Sequence, residues 1–97
     1  MIQSFRDRGT ENIFDGSDSA VARKRCPKDL WPVARRKLDQ INRSVNLQDL
    51  RVPPGNRLER LKGNRKGQLS IRINGQYRIC LRWENSDAYD VEITDYH

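Results

Sequence analysis

The side chains best suited to proton transfer lie at the end of the chain. His97 is the only histidine, and its imidazole can exchange a proton near neutral pH. Tyr96 and Lys62 can assist where neighbouring cations shift their pKa values. Arginine and lysine stabilise the phosphorane that forms when a ribose 2′-hydroxyl attacks a phosphodiester. These residue types could cleave RNA without a metal, but a mechanism that needs two histidines is excluded.

Each of these residues also has a purely structural interpretation. A terminal His97 can belong to a tail, Tyr96 to a sheet edge and Asp95 to a salt bridge. The charges of Lys62, Arg65 and Lys66 can simply be solvated, or the loop that holds them, bounded by glycines, can wrap phosphates. The residue types alone leave these alternatives open.

Positive charge is concentrated in one third of the chain. Between Arg51 and Arg82 there are nine basic residues and one acid, Glu59, whereas the remainder carries ten bases and twelve acids. Such polarisation is typical of a surface that docks a polyanion, because neutralised phosphates supply affinity independent of sequence. A solvated basic face is the alternative. The predicted RNA-binding residues are Arg57, Arg60, Arg65, Lys66, Arg72 and Arg82.

Length and composition limit the class of protein. The 97 residues suit one compact domain, residues 1–97, with a thin core. The sequence contains no apolar run of roughly 18 to 20 residues and no secretory signal, so we expect a cytoplasmic protein that does not contact a membrane. With one histidine, the distant Cys26 and Cys80 do not suggest a zinc site and are expected to be reduced, packed thiols. Neither a metal nor a cofactor is predicted.

The elements that position these residues are a helical half followed by a half rich in strands. The helical half is predicted to hold a strand at Met1–Phe5, a helical turn at Thr10–Asp15 ended by Gly16, a helix from Ser19 to Arg25 and a longer helix capped by Asp29. In the longer helix, apolar residues recur at helical spacing and should pack on a sheet; they are Leu30, Ala34, Leu38, Ile41 and Val45.

Beyond Pro53-Pro54-Gly55, strands are expected at 57–60, 68–73, 77–83 and 89–94. Apolar residues in the last three strands fall on odd positions, so odd side chains, including Tyr89, are expected to face the core. A three-residue loop, Asn74-Gly75-Gln76, preserves this alternation, whereas a two-residue turn would mix the two faces.

This register places Arg72 opposite Arg78 on the outer face of the sheet, with Arg82 further along. Like charges in opposed positions are destabilising, so an anionic ligand, or Asp90 and Glu92, must offset the repulsion. The outer face is therefore predicted to be a cationic surface, to which Tyr96 belongs by the same alternation.

Several motifs, taken in order, resemble the HigB-type branch of the RelE/ParE toxin superfamily. Met1–Phe5 resembles the opening strand of that branch, so the resemblance spans nearly the full chain. The other motifs are Leu61-Lys62-Gly63-Asn64-Arg65-Lys66-Gly67, Ser70-Ile71-Arg72-Ile73, Tyr77-Arg78-Ile79 and Asp95-Tyr96-His97. The resemblance implies an α+β, RelE-like (microbial-ribonuclease-like) fold in which N-terminal helices pack on an antiparallel twisted β-sheet.

The resemblance also implies a function. The expected protein is the toxin of a type II toxin-antitoxin system, a metal-independent endoribonuclease that cuts translated mRNA in the ribosomal A site. A cognate helix-turn-helix antitoxin would hold it inactive, and the complex would bind operator DNA. The alternative is a non-nucleolytic toxin of the same fold, either a gyrase inhibitor or a partner that acts only in the operator complex.

Residue roles follow from the matching positions. Lys62 and Arg78 match positions that contact phosphate or stabilise the transition state, and Arg65 is expected to add a phosphate contact. The terminal Asp95-Tyr96-His97 matches the catalytic group of the family, with its histidine transferring a proton and its tyrosine stacking on or orienting a base. Glu59 stands where some members have a histidine, which leaves the acid-base assignment open.

Overall fold

The computed structural model describes residues 1–95, in which three α-helices precede a four-stranded antiparallel sheet. This architecture confirms the α+β class. The helices are α1 (Arg8–Asp15), α2 (Ala20–Arg25) and α3 (Trp31–Arg43), and the strands are β1 (Glu59–Arg60), β2 (Leu69–Arg72), β3 (Tyr77–Glu84) and β4 (Asp87–Asp95). Within residues 1–95, no helix combines the length and apolarity that crossing a bilayer requires.

Helix α2 begins and ends as the sequence predicted, whereas α1 ends at Gly16 as predicted but begins at Arg8, earlier than the predicted turn at Thr10–Asp15. The carboxylate of Asp7 accepts a hydrogen bond from the Thr10 amide at 2.7 Å, and Gly16 ends α1 in the left-handed conformation with φ of 81°. The hydroxyl of Ser19 accepts from the Ala22 amide at 3.1 Å and so caps α2. Side-chain and glycine caps therefore stabilise both ends of α1 and the start of α2.

Helices α1 and α2 cross in close contact at Gly9. A Cβ atom at this position would lie 2.5 Å from the carbonyl oxygen of Val21 and 2.3 Å from Cγ of Arg25. A larger residue at position 9 would therefore force the two helices apart.

Helix α3 starts later than predicted and also ends earlier. The prediction that Asp29 caps it is wrong, because a 3₁₀ turn at Lys28–Leu30 precedes the helix and Leu30 is its N-cap without a side-chain hydrogen bond. The stripe of buried side chains is formed by Ala34, Leu38 and Ile41, whereas Val45 lies beyond the last turn and is exposed.

The strands follow the predicted register over most of the sheet, whose order is β1-β2-β3-β4. Arg72 lies opposite Arg78, and the Ile73 amide donates to the Tyr77 carbonyl at 2.9 Å, which confirms the three-residue loop. The odd side chains that face α1–α3 are buried, namely Leu69, Ile71, Ile73, Ile79, Leu81, Val91 and Ile93.

A β-bulge in β4 reverses this alternation near the end of the hairpin. Asp90 has a positive φ of 54°, and the register between β3 and β4 shifts between Cys80 and Arg82. The prediction that Tyr89 faces the core is therefore wrong: Tyr89 lies opposite Arg82 on the outer face. The buried Ala88, opposite Trp83, takes the core position instead.

The strand predicted at Met1–Phe5 is present only as isolated bridges along the free side of β4. The segment 1–6 runs parallel to β4 through two isolated bridges, Ile2 with Ala88 and Phe5 with Val91. The Ala88 amide donates to the Met1 carbonyl at 3.0 Å, and the hydroxyl of Ser4 accepts from the amide of Asp90 at 2.9 Å. This segment therefore stabilises the bulge as well as the edge of the sheet.

Both cysteines are free and buried, which confirms the expectation of packed thiols. Burial raises the pKa of Cys26 to about 11 and also raises the pKa of Cys80. Two thiols in this state are poor nucleophiles.

Candidate active site and nucleic-acid interface

One row of side chains crosses the outer face of all four strands. Glu59 pairs with Ser70, Ser70 with Cys80, and Cys80 with Glu92. The neighbouring row contains Arg72 and Arg78 of β2 and β3 and Thr94 of β4. The two carboxylates thus stand at opposite ends of the first row, with the arginines of the second row beside it.

Arg78 lies on this outer face but is covered, with only 8% of its surface exposed. Its Nε donates to the hydroxyl oxygen of Ser70 at 2.8 Å, and its Nη2 donates to the carbonyl oxygen of Arg57 at 2.7 Å. Both acceptors are neutral, so these two hydrogen bonds fix the orientation of the guanidinium. A charge that is held in this way suits the stabilisation of an anionic transition state.

Glu59 brings a carboxylate to this guanidinium. Its Oε1 lies 3.8 Å from Nη1 of Arg78, and 53% of the Glu59 side chain is exposed to solvent. An ionised carboxylate is a proton acceptor, so an accessible base lies next to a fixed cation. Glu59 therefore occupies a chemically useful position.

The loop that joins β1 to β2, residues 62–67 and called here the basic loop, is attached to β4 by an ion pair. Nη1 of Arg65 lies 2.6 Å from Oε1 of Glu92, and it also donates to the side-chain oxygen of Gln68 at 3.0 Å. Lys62 and Lys66 are exposed on either side of this anchor. The loop can thus present its two lysines to a ligand while Arg65 holds it in place.

Asp90 and Glu92 were predicted to offset the repulsion between the arginines of the sheet, and only Asp90 pairs with one of them. Asp90 lies 3.5 Å from Nε of Arg82, which confirms its expected role for that arginine. Glu92 instead pairs with Arg65 and, at 3.8 Å, with Arg6, so the expectation that it neutralises the sheet arginines is wrong.

The other predicted RNA-binding arginines differ in exposure to solvent and in the ion pairs that they form. Arg57 and Arg60 are exposed beside β1, and Arg72 is half-buried. Arg82 pairs with Glu84 as well as Asp90, and its guanidinium lies over the ring of Tyr89 at 4.7 Å. Arg82 therefore has less charge to offer a ligand than Arg57 or Arg60.

Asp95 ends β4 opposite Tyr77, and its carboxylate accepts a hydrogen bond from Nε2 of Gln76 at 2.9 Å. The preceding residue, Thr94, lies opposite Arg78, so the strand ends one position from the arginine row. Tyr96 and His97, predicted as catalytic residues, lie outside the described residues.

Comparison with known proteins identifies the family. Residues 3–97 match the HigB-like toxins, described as the RelE-like toxin of the type II toxin-antitoxin system HigB. The chain belongs to this family. The toxin is 36% identical to Toxin HigB-1 of Vibrio cholerae over 88 residues, which cover 91% of this chain and 90% of the relative. It is 30% identical to Endoribonuclease HigB of Proteus vulgaris across the full length of both chains.

The fold of the toxin also resembles solved structures. A chain of the YoeB-YefM toxin-antitoxin heterotetramer from Staphylococcus aureus superposes with a TM-score of 0.60 and 16% identity, covering 100% of this chain and 98% of that one. A second YoeB-YefM complex from the same organism gives a TM-score of 0.56. These structures share the RelE-like fold that the sequence predicted.

Sequence reasoning missed a buried lysine on α3 of the toxin. Lys37 is covered, and its Nζ donates to the side-chain oxygen of Asn56 at 2.7 Å. Its spacing was a usable signal, because positions 34, 37, 38 and 41 fall on one side of a helix and the other three are apolar. Asn56, which follows Pro53-Pro54-Gly55, gave no comparable sign of burial.

Proposed function

We propose that this toxin is a metal-independent endoribonuclease that cleaves translated mRNA in the ribosomal A site. The observation that carries this proposal is the juxtaposition of Arg78 and Glu59, a fixed guanidinium beside an accessible carboxylate. The basic loop, on the same side of the sheet, supplies exposed lysines for phosphate contact. A relative that matches along the whole chain is itself named an endoribonuclease, which supports the same reaction.

In the proposed reaction, the carboxylate of Glu59 accepts the proton of a ribose 2′-hydroxyl. The 2′ oxygen then forms a bond to phosphorus, and Arg78 stabilises the negative charge that develops on the phosphorane oxygens. The bond from phosphorus to the 5′ oxygen breaks, and His97 donates a proton to that leaving oxygen. Products are a 2′,3′-cyclic phosphate and a free 5′-hydroxyl.

The remaining predicted residues position the RNA. Lys62 contacts the scissile phosphate, Tyr96 stacks on or orients a base, and Asp95 belongs to the same terminal catalytic group. The exposed Arg57 and Arg60, together with Lys66, contribute backbone contacts.

The proposed partners follow from the toxin-antitoxin family. A cognate antitoxin with a helix-turn-helix domain binds the toxin in the cytoplasm and inhibits it, and the complex binds operator DNA. The structural relatives from Staphylococcus aureus are themselves complexes of a toxin with an antitoxin, which supports the existence of such a partner.

Primer extension on mRNA from translating ribosomes tests the reaction. We expect discrete cuts within codons for the unaltered toxin, and a loss of about 100-fold or more in cleavage rate for Glu59→Gln and His97→Ala. Arg78→Ala should lose at least as much, provided that circular dichroism shows a folded protein. Lys24→Ala, which removes an exposed charge on α2, is the matched control and should cleave normally.

The alternative function is inhibition of gyrase without cleavage. Intact mRNA together with inhibited DNA supercoiling would refute the nuclease and support that alternative. Cleavage that persists unchanged in Glu59→Gln would leave the nuclease standing but refute the role given to this carboxylate.

A further inference from the structure

A cavity of about 440 Å³ lies between α3 and the segment that follows it, residues 44–56. Its volume falls within the range of roughly 300 to 1,000 Å³ that is usual for ligand sites. Three basic side chains, Arg36, Lys37 and Arg43, line it together with one carboxylate, Asp49. None of these four residues belongs to the site described above.

Lys37 is buried there and has no counter-ion in the part of the chain that the structure describes. Only 8% of its surface is exposed, and among residues 1–95 no carboxylate lies within ion-pair distance of its ammonium group. An ammonium carries three N–H donors, and Asn56 accepts from one of them. A buried charge with so little compensation is costly, so the site favours a ligand that supplies negative charge.

The nearest charges make this imbalance larger. Burial lowers the pKa of Lys37, and the positive charges of Arg36 and Arg72 lower the pKa further. The carboxylate of Asp49 is already engaged, because its Oδ2 accepts from the amides of Val45 at 3.2 Å and Asn46 at 3.1 Å. The carboxylate of Asp49 is thus directed to backbone amides, and Arg43 pairs with the exposed Asp39 at 3.1 Å, an exposed ion pair that a phosphate could replace. Lys37 and Arg36 are left close together without either carboxylate.

Asn56 is held so that it presents its oxygen to this lysine. Its Nδ2 donates to the side-chain oxygen of Gln40 at 3.0 Å and to the carbonyl of Leu50 at 3.2 Å. With the amide nitrogen occupied in this way, the amide oxygen faces Lys37. Lys37 and Asn56 are therefore held in a fixed arrangement, and the exposed Arg36 and Arg43 lie around them.

The pocket is also connected to the candidate active site. Asn56 binds Lys37, and the carbonyl of the next residue, Arg57, binds Arg78. The positive charge of Arg72, which lies opposite Arg78 in the sheet, also lowers the pKa of Lys37. Positive charge thus extends from the sheet to the pocket, which suits a continuous polyanion better than a single acidic side chain.

We propose that this pocket binds a backbone phosphate of single-stranded RNA outside the scissile position. Lys37, Arg36 and Arg43 would contact this phosphate. This proposal rests on the proposed function, in which RNA is the substrate. The pocket would hold the RNA that lies across the sheet and so extend the RNA-binding surface beyond the basic loop.

A 2′-O-methyl RNA oligonucleotide tests binding separately from cleavage, because it has no free 2′-hydroxyl to attack the phosphate. Its affinity for the full chain is measured by fluorescence anisotropy at several salt concentrations. The pocket variant is Arg36→Gln/Arg43→Gln, in which both altered side chains are exposed and the buried lysine is kept. The control is Arg8→Gln/Lys24→Gln, which removes the same charge from exposed positions on α1 and α2.

We expect the affinity of the pocket variant to fall roughly three- to thirtyfold, and its salt slope to fall by about 0.7 for each phosphate that is no longer neutralised. The control should keep its slope. Equal decreases in both variants would overturn the proposal, since net charge alone would explain them. The proposal would also fall if the pocket variant kept its RNA affinity but bound the antitoxin more weakly, because the ligand would then be an acidic protein segment.

Side-chain NMR of the Lys37 ammonium gives a second measurement. Titration with the same oligonucleotide should shift the Lys37 signal, and an unchanged signal at saturating RNA would contradict direct contact. Failure of the toxin to cut mRNA on ribosomes would refute the nuclease alone, since neither measurement here depends on cleavage.

Discussion

The guanidinium of Arg65 lies 2.6 Å from the carboxylate of Glu92 and ties the basic loop to strand β4. Glu92 is largely buried, and its second cation, Arg6, comes from the segment that runs along the edge of the sheet. One carboxylate therefore joins three separate parts of the chain. Its charge matters for the position of the loop as well as for stability.

Removal of this charge should destabilise the protein. We expect Glu92→Gln to lower the free energy of unfolding by about 1–3 kcal/mol, because two arginines lose a charged acceptor at a partly buried site. Urea unfolding measures the change. The matched control is Glu84→Gln, which breaks a solvent-exposed pair with Arg82 and should cost less than about 1 kcal/mol. Equal costs for the two substitutions would contradict the anchoring role of Glu92.

The contact between α1 and α2 predicts a second effect on stability. Gly9→Ala places a methyl group 2.5 Å from a backbone oxygen of α2, so we expect a decrease of about 1–3 kcal/mol in the free energy of unfolding. Gly55→Ala is the control, because a Cβ atom there meets nothing within 4 Å, and we expect a change of about 1 kcal/mol at most. Thermal unfolding of both variants measures the difference, and a stable Gly9→Ala protein would show that the helices can separate without cost.

Lys37 should make stability depend on pH in the alkaline range. Since the pKa of Lys37 is lowered in the folded protein from its usual 10.5, the unfolded chain binds more protons between the two values. The contribution of Lys37 to stability therefore rises with pH across that window and is constant below it. We expect the free energy of unfolding of Lys37→Met to lack this rise when it is measured against the unaltered protein from pH 7 upwards. Parallel curves for the two proteins would exclude the lowered pKa.

The cysteines should react slowly while the protein is folded. The pKa of Cys26 rises from 9.0 to about 11, which alone lowers the reactive thiolate about a hundredfold at pH 8, and burial restricts access further. Mass spectrometry after treatment with iodoacetamide should therefore find both thiols unmodified in the native protein and modified in urea. Rapid labelling of Cys26 without urea would mean that α2 opens readily.

Local signals in the sequence predicted much of the fold. The cap at Ser19 is a short-range hydrogen bond between side chain and backbone, so the residue type revealed it, whereas the equivalent cap at Asp7 was missed. The register of Arg72 with Arg78 followed from alternation alone, because a different loop length would have buried charged side chains. In each of these cases the determining contact lies within a few residues or follows from one periodicity.

The errors arose where tertiary contacts decide the local structure. The bulge at Asp90 depends on a positive φ in a non-glycine residue and on a hydrogen bond to Ser4, at the other end of the chain. Its effect was to move Tyr89 to the outer face, which no alternation in β4 could have indicated. The candidate site was predicted only in part. The positions of Arg78 and the basic loop followed from motifs. The burial of Arg78 did not, because it involves a contact with the carbonyl of Arg57, which is distant in the sequence.

Segment 1–6 also determines how the sheet can meet other chains. Its backbone hydrogen bonds to Ala88 and Val91 pair the first half of the free edge of β4, which would otherwise offer unpaired amides and carbonyls. At the opposite margin, β1 is only two residues long and flanked by charged side chains. Short, charged margins of this kind resist edge-to-edge aggregation. A strand added by another chain at this margin would lie beside β1, next to Glu59.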